Sequence, residues 1–287
     1  MQLSFECVPE GLWSYKRPAL FVGHPGHELR ILGWLAENRP RVYVLTDGSG
    51  LNGPSRLPAT SRLLEGFRAK AGEVFGPFPD VEIYHAILDR EVGVFQSMVD
   101  RLARSLAEHN IDFVVADAAE GFNPTHDICR QLANGAISKA RMLTGSSIAN
   151  YEFCLTEWDT GHPPLHDHQC WHLRLEDRLL RLKLDAARGY AGLQLEVEQA
   201  IALKGEEYFR TECLRKVTQS FLVLKPEHQP YYEKLGEERV AAGKYLSAIR
   251  YKSHMLPILR AIEDHAHGHQ STGRDRTAEI KTMKAES

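Results

Sequence analysis

No stretch of the chain approaches the roughly 20 consecutive apolar residues that a bilayer-spanning helix needs, so that class of membrane protein is excluded. The opening segment, Met1 to Lys16, lacks the basic-then-apolar layout of a secretion signal, and a cytoplasmic location is expected. Cys-x-x-Cys pairs are missing. The five cysteines (Cys7, Cys129, Cys154, Cys170, Cys213) are scattered and odd in number, which argues against a disulfide framework or a cysteine-based zinc site and for reduced thiols. Neither sign of charge dominates. With 35 Lys and Arg against 38 Asp and Glu, the net charge of -3 gives no electrostatic reason to expect a nucleic-acid or membrane partner. There is no Walker pattern, and the glycines of the loops described below carry only a weak phosphate-binding signal. Internal repeats are lacking too.

What is present is an ordinary globular composition, 43% hydrophobic and 25% charged over 287 residues, enough for one large domain or two small ones. Histidine stands out, with fourteen copies, several of them clustered. Ala19-Leu20-Phe21-Val22 reads as a buried strand running into His24-Pro25-Gly26-His27-Glu28. A helix from Leu29 to Asn38 follows, stopped by Pro40. Val42 to Leu45 is the next strand, ending in the turn Thr46-Asp47-Gly48-Ser49-Gly50. A helix from about Ser61 to Ala71 and a strand at Val81 to Tyr84 are predicted next. Phe95, Met98, Val99, Leu102 and Leu106 then share one helical face. Phe113 to Ala116 reads as a strand whose loop carries Asn123-Pro124-Thr125-His126 into another helix, and Ile148 to Leu155 as a fifth strand.

This alternation implies an α/β fold: a mostly parallel sheet with helices on both faces. Ligands of such sheets bind outside the carboxyl ends of the strands, where His24 to Glu28, Thr46 to Gly50 and Asp117 to His126 would meet. Beyond Trp158 the alternation fades. One long helix is predicted from Leu180 to about Ala202, and a charged C-terminal helical extension from Pro230 to Glu263 packs on the body. From His265 the chain is polar and aperiodic and reads as a disordered tail.

His24 and His27 are three residues apart at a strand end, a spacing that lets both imidazoles face one ion; His126 would complete a three-histidine metal site. The plain alternative is a histidine pair that caps a helix or satisfies the core. Hydrolysis is the natural chemistry of such a site, because a catalytic metal polarises a carbonyl and acidifies water. Glu120 and Asp47 are candidate proton-transfer groups; the bland readings are a solvated Glu120 and an Asp47 that caps its turn. The segment Gly161 to His172 holds four histidines and Cys170, and reads as a proline-containing loop or, less simply, a second metal site.

The run Phe21 to Glu28, the downstream Leu45-Thr46-Asp47-Gly48, the pair Arg62 and Glu65, and Asn123 to His126 resemble the LmbE/PIG-L family of zinc-dependent N-acetylglucosaminyl deacetylases. The resemblance spans roughly residues 17 to 215, including Lys183. It implies a Rossmann-like fold and zinc or iron held by His24, His27 and His126. It also implies a supporting Glu28 and a substrate-contacting Arg62, whose bland alternative is an ion pair with Glu65. His27 stands where the family has an aspartate ligand, Gly26 where it has its general-base aspartate, Asn123 where it has a histidine, and Thr125 where it has an aspartate. Asn123 can donate to an oxyanion but cannot act as an acid.

The expected organisation is a metal-binding α/β domain over 1–222, a helical extension over 223–264 and the tail over 265–287. The expected function is a metal-dependent hydrolase removing an N-acyl group from a polar small molecule such as an N-acetylated amino-sugar conjugate. The alternatives are a lyase or iron-dependent reaction on the same fold, or a non-catalytic glycan or metabolite binder.

Overall fold

The computed structural model describes residues 4–6, 17–156, 170–218 and 229–268. Its strands are β1 (Ser4–Glu6), β2 (Pro18–Val22), β3 (Arg41–Thr46), β4 (Lys70–Phe78), β5 (Phe113–Asp117), β6 (Ala149–Phe153), β7 (Cys170–Arg174) and β8 (Thr211–Lys216). Its α-helices are α1 (Leu32–Asn38), α2 (Leu57–Phe67), α3 (Asp80–Leu88), α4 (Val92–Glu108), α5 (Pro124–Thr144), α6 (Asp177–Arg188), α7 (Gln194–Lys204), α8 (Tyr231–Ala241) and α9 (Leu256–Ala266). One sheet holds all eight strands in the order β1-β7-β8-β6-β5-β2-β3-β4. The pairings from β4 across to β6 are parallel, and those joining β8, β7 and β1 are antiparallel.

Successive side chains of a strand face opposite ways, and the two cores follow that rule. Ala19, Phe21, Tyr43, Leu45, Val114 and Ala116 pack with α3, α4, α5, α8 and α9 on one face. Leu20, Val22, Val42, Val44, Phe113 and Val115 pack with α1, α2 and α6 on the other. Tyr232 of α8 and Ile258, Leu259 and Ile262 of α9 lie in the same core as Leu132 and Ile137 of α5.

Four expectations need correction. Val81 to Tyr84 is not a strand but part of α3, where Ile83, Ala86 and Ile87 are buried at helical spacing. The helix placed over Ser61 to Ala71 is α2, ending at Arg68 in a left-handed conformation (φ 59°), and β4 follows at once. The long helix from Leu180 breaks at the turn after Arg188, giving α6 and α7. His265 is no free tail residue: it lies in the last turn of α9, and its Nε2 lies 2.8 Å from Asp100 Oδ1. His162, His166 and His168 lie outside the described residues. No helix among the described residues is long and apolar enough to cross a membrane.

Candidate metal centre

The strand order decides where the histidines go. β2 pairs directly with β5, so the loops at their carboxyl ends are neighbours although about 100 residues separate them. His24 and His27 come from the loop after β2, and His126 from the first turn of α5. The ring centres lie 5.2 Å apart for His24 and His27, 5.2 Å for His24 and His126, and 4.6 Å for His27 and His126. Two imidazoles bound to one tetrahedral ion through nitrogens at about 2.0–2.1 Å would have ring centres roughly 5 Å apart.

Two of the three rings are held from behind by carboxylates. His24 Nδ1 lies 2.8 Å from Thr46 Oγ1 and 2.9 Å from Asp80 Oδ1, at the start of α3. His27 Nδ1 lies 2.7 Å from Asp117 Oδ2, the last residue of β5. A carboxylate behind the ring is the usual way a metal-ligating histidine is oriented. The same Asp117 oxygen accepts from Gly23 N at 2.7 Å. A Cβ on Gly23 would sit 3.2 Å from it, so glycine lets the loop approach this closely. Burial lowers the pKa of His24, against the pull of Asp80. Burial and the two neighbouring imidazoles hold His126 well below the ordinary histidine value. Both rings are therefore neutral at neutral pH, the form that ligates.

Three atoms of this cluster are buried without a hydrogen-bond partner: His24 Nε2, His126 Nδ1 and Asp117 Oδ1. A buried polar group left unpaired costs about 1–3 kcal/mol, so three together mark a place built for a partner that satisfies them. Among the described residues no three His, Cys, Asp or Glu side chains form a finished coordination cage. The ring spacing, the carboxylates behind two of the rings and the unpaired nitrogens are what mark the cluster as a candidate site. Three imidazoles suit a divalent transition metal.

The other expected residues sit as follows. Glu28 is fully buried; Oε2 accepts from Gly26 N at 2.7 Å and Oε1 from Thr60 Oγ1 at 2.7 Å, so it ties the loop to α2. Asn123 caps α5 through Oδ1, 2.8 Å from Thr125 N. Glu120 does not face water. Its carboxylate accepts from Leu155 N at 2.9 Å and from Thr156 N and Oγ1 at 3.1 and 2.9 Å. Burial raises its pKa in spite of those donors. Asp47 Oδ1 accepts from Ser49 N at 2.9 Å and caps its turn. Arg62 is exposed on α2, and Glu65 is exposed one turn on. Lys183 is buried, 2.8 Å from Glu212 Oε1.

Sequence reasoning missed Asp80, Asp117 and Asp127. Asp117 had a usable signal, a carboxylate ending a central parallel strand. Asp80 had none, because the segment around it reads as a strand. Asp127 Oδ1 accepts from Glu120 N and Gly121 N, and burial pushes its carboxyl up to about 7.

Gly26 has φ of 107°, and a Cβ there would lie 2.4 Å from Leu193 Cδ1, just before α7. The space a side chain at 26 would need is filled by leucine.

Two cavities meet at this loop. One, of about 480 Å³, includes His24, Asp80, Asn123, Tyr84 and Tyr245 in its walls. The other, of about 850 Å³, starts at Gly26 and runs under α7. Phe122 lines both, its ring stacked on Tyr231 at 4.9 Å.

No family model and no curated protein sequence matches the chain. Among solved structures it is similar to the zinc-inhibited form of the teicoplanin deacetylase Orf2, at 14% identity and a TM-score of 0.46, over 74% of this chain and 100% of that one. It is also similar to the A40926 pseudoaglycone deacetylase Dbv21, at 15% identity and a TM-score of 0.42, over 73% and 100% of the two chains. At this level of superposition each stands as a likeness only. The α/β assignment rests on the chain's own strand order and pairing.

Proposed function

We propose that the chain is a metal-dependent amide hydrolase of the LmbE/PIG-L type, which removes an N-acyl group from a polar small molecule such as an amino-sugar conjugate. The observation that carries this reading is the cluster of three imidazoles, two of them buried with an unpaired ring nitrogen. His24, His27 and His126 would hold a zinc or iron(II) ion. Such an ion supplies a Lewis acid for a carbonyl and acidifies water near neutral pH.

The chain's own residues do the rest. Asp80 and Asp117 fix the orientation of His24 and His27. Asn123 spends its oxygen on the helix cap and keeps its amide N–H groups to donate to a developing oxyanion. Gly26 can accept no proton, and Glu120 is committed to Leu155 and Thr156. The proton-handling role passes to Asp117, which orients His27 through Oδ2 and has Oδ1 to spare. In balance, the water oxygen joins the acyl carbon, the C–N bond breaks, and the products are a carboxylate and an ammonium.

Metal analysis of the purified protein tests this first. About one equivalent of zinc or iron is expected, together with release of free amine from N-acetylglucosamine derivatives. Protein that carries no metal and releases no amine would end the hydrolase reading. A second reading, a lyase or oxygen-using reaction at an iron centre, is favoured by one feature: Leu193 fills the space a carboxylate at position 26 would need. Iron content with oxygen uptake would select it.

A further inference from the structure

The cavity under α7 is too large and too apolar for an acetyl group. Its volume of about 850 Å³ lies toward the upper end of the range for small-molecule pockets. Leu29, Leu184, Leu193, Val197, Ala200 and Ile201 form its walls. No residue of α7 is fully buried; Ile201 packs against the edge of the core under α6, and Val197, Ala200 and Ile201 line the chamber. A mostly apolar cleft of this size beside a candidate site has the usual form of a ligand pocket.

Its position says what fills it. Gly26, between His24 and His27, is part of its wall, and Phe122 lines both it and the His24 cavity, so the chamber borders the histidine loop. On the other side lies the smaller cavity, with Asp80, His85, Asn123 and tyrosines around it. A substrate seated beside the histidines therefore has an apolar arm under α7 and a more polar arm beside α3. The Glu120 carboxylate gains a meaning here: by gripping Leu155 and Thr156 it fixes one wall of the apolar chamber. Leu193 gains one as well. Its side chain fills the space a side chain at position 26 would need, which keeps that part of the chamber wall apolar.

We propose that the chamber takes the acyl chain of the substrate, roughly six to twelve carbons by the size of the pocket, and that the amine half lies in the His24 cavity. This rests on the hydrolase reading and narrows it, from acetyl removal to removal of a medium-chain acyl group from a polar amine.

Calorimetric titration of the wild-type, metal-loaded protein with sodium acetate, octanoate and decanoate tests the chamber without turnover. Each buried methylene should strengthen binding by about fourfold, so octanoate should bind at least about a hundredfold tighter than acetate. Ala200→Trp and Val197→Trp, each filling the chamber from the lightly packed α7, should weaken octanoate by at least about tenfold. In parallel, amine release is followed from N-acetyl- and N-octanoyl-glucosamine, with the octanoyl compound expected to be the better substrate. Octanoate binding no tighter than acetate, or unchanged in both tryptophan variants, overturns the proposal. If the acetyl compound alone is cleaved, the hydrolase reading stands and the medium-chain proposal falls. If octanoate binds in a tryptophan-sensitive way and neither amide is cleaved, the chamber stands and the hydrolase reading falls.

Discussion

Helix α5, which carries His126, and helix α7, which begins beside Gly26, are built in opposite ways. Every residue of α5 from Pro124 to Ile137 is buried, and the helix begins on a side-chain cap with His126 in its first turn. In α7 no residue is buried, and Leu195 and Leu203 are 69% and 79% exposed. The helix that carries a ligand is locked by packing, whereas the helix over the cavity is held lightly. Chemistry that needs ring nitrogens fixed to fractions of an ångström belongs on the first kind of element. Selection among ligands tolerates the second, since segments with few buried contacts open at low free-energy cost.

The largest test of that contrast is removal of a ligand from the packed side. His126→Ala should lose nearly all bound metal and all turnover while keeping its far-ultraviolet circular dichroism, and elemental analysis reads the result. Retention of the full metal content would place the ion elsewhere. Next comes stability. Leu132→Ala on α5 should cost about 2–5 kcal/mol by the cavity it leaves. Leu195→Ala on α7 should stay within about 0.5 kcal/mol, the usual range for surface changes. Equal denaturant midpoints for the two variants would erase the comparison.

Smaller effects sharpen it. Asp117→Asn leaves His27 without its carboxylate and should weaken metal binding by about 10–100-fold, as measured by competition with a chelating dye. Gly26→Asp should destabilise the fold by about 1–3 kcal/mol, through the positive φ and the contact with Leu193. Pairing it with Leu193→Ala should recover part of that loss, and a double-mutant cycle with no coupling would show that the two positions do not compete for space. Smallest of all, Leu195→Ala should leave hydrogen exchange across α5 unchanged while α7 exchanges early in both proteins.

The convergence of the histidines was legible because it needed only the alternation of strands and helices and the rule that loops at the carboxyl ends share one edge. Where pattern and environment conflict, reading failed. β4 is an edge strand carrying Gly72, Gly76 and Pro77, residues that edges tolerate and that hide a strand from propensity. Val81 and Ile83 alternate as a strand would, yet Pro79 and Asp80 open a helix there. Of the carboxylates behind the histidines, Asp80 was hidden by the strand-like pattern around it, and Asp117 offered only its place at a strand end, which looks the same whether it meets water or an imidazole. Glu120 was expected to face the metal because it is near His126 in sequence, but nearness along a loop does not fix the direction of a side chain.

One packing contact has a consequence in time. Helix α5 rests on α9, where Gly135 lies so close that a Cβ would come within 3.1 Å of Ile262 Cγ2. α9 begins at Leu256, well over a hundred residues after His126. At a synthesis rate of roughly 5–20 residues per second, the helix that carries His126 waits several seconds on the ribosome with its apolar flank uncovered. During that wait the nascent chain presents a surface that chaperones bind. A chain cut short before α9 would release that same surface for good.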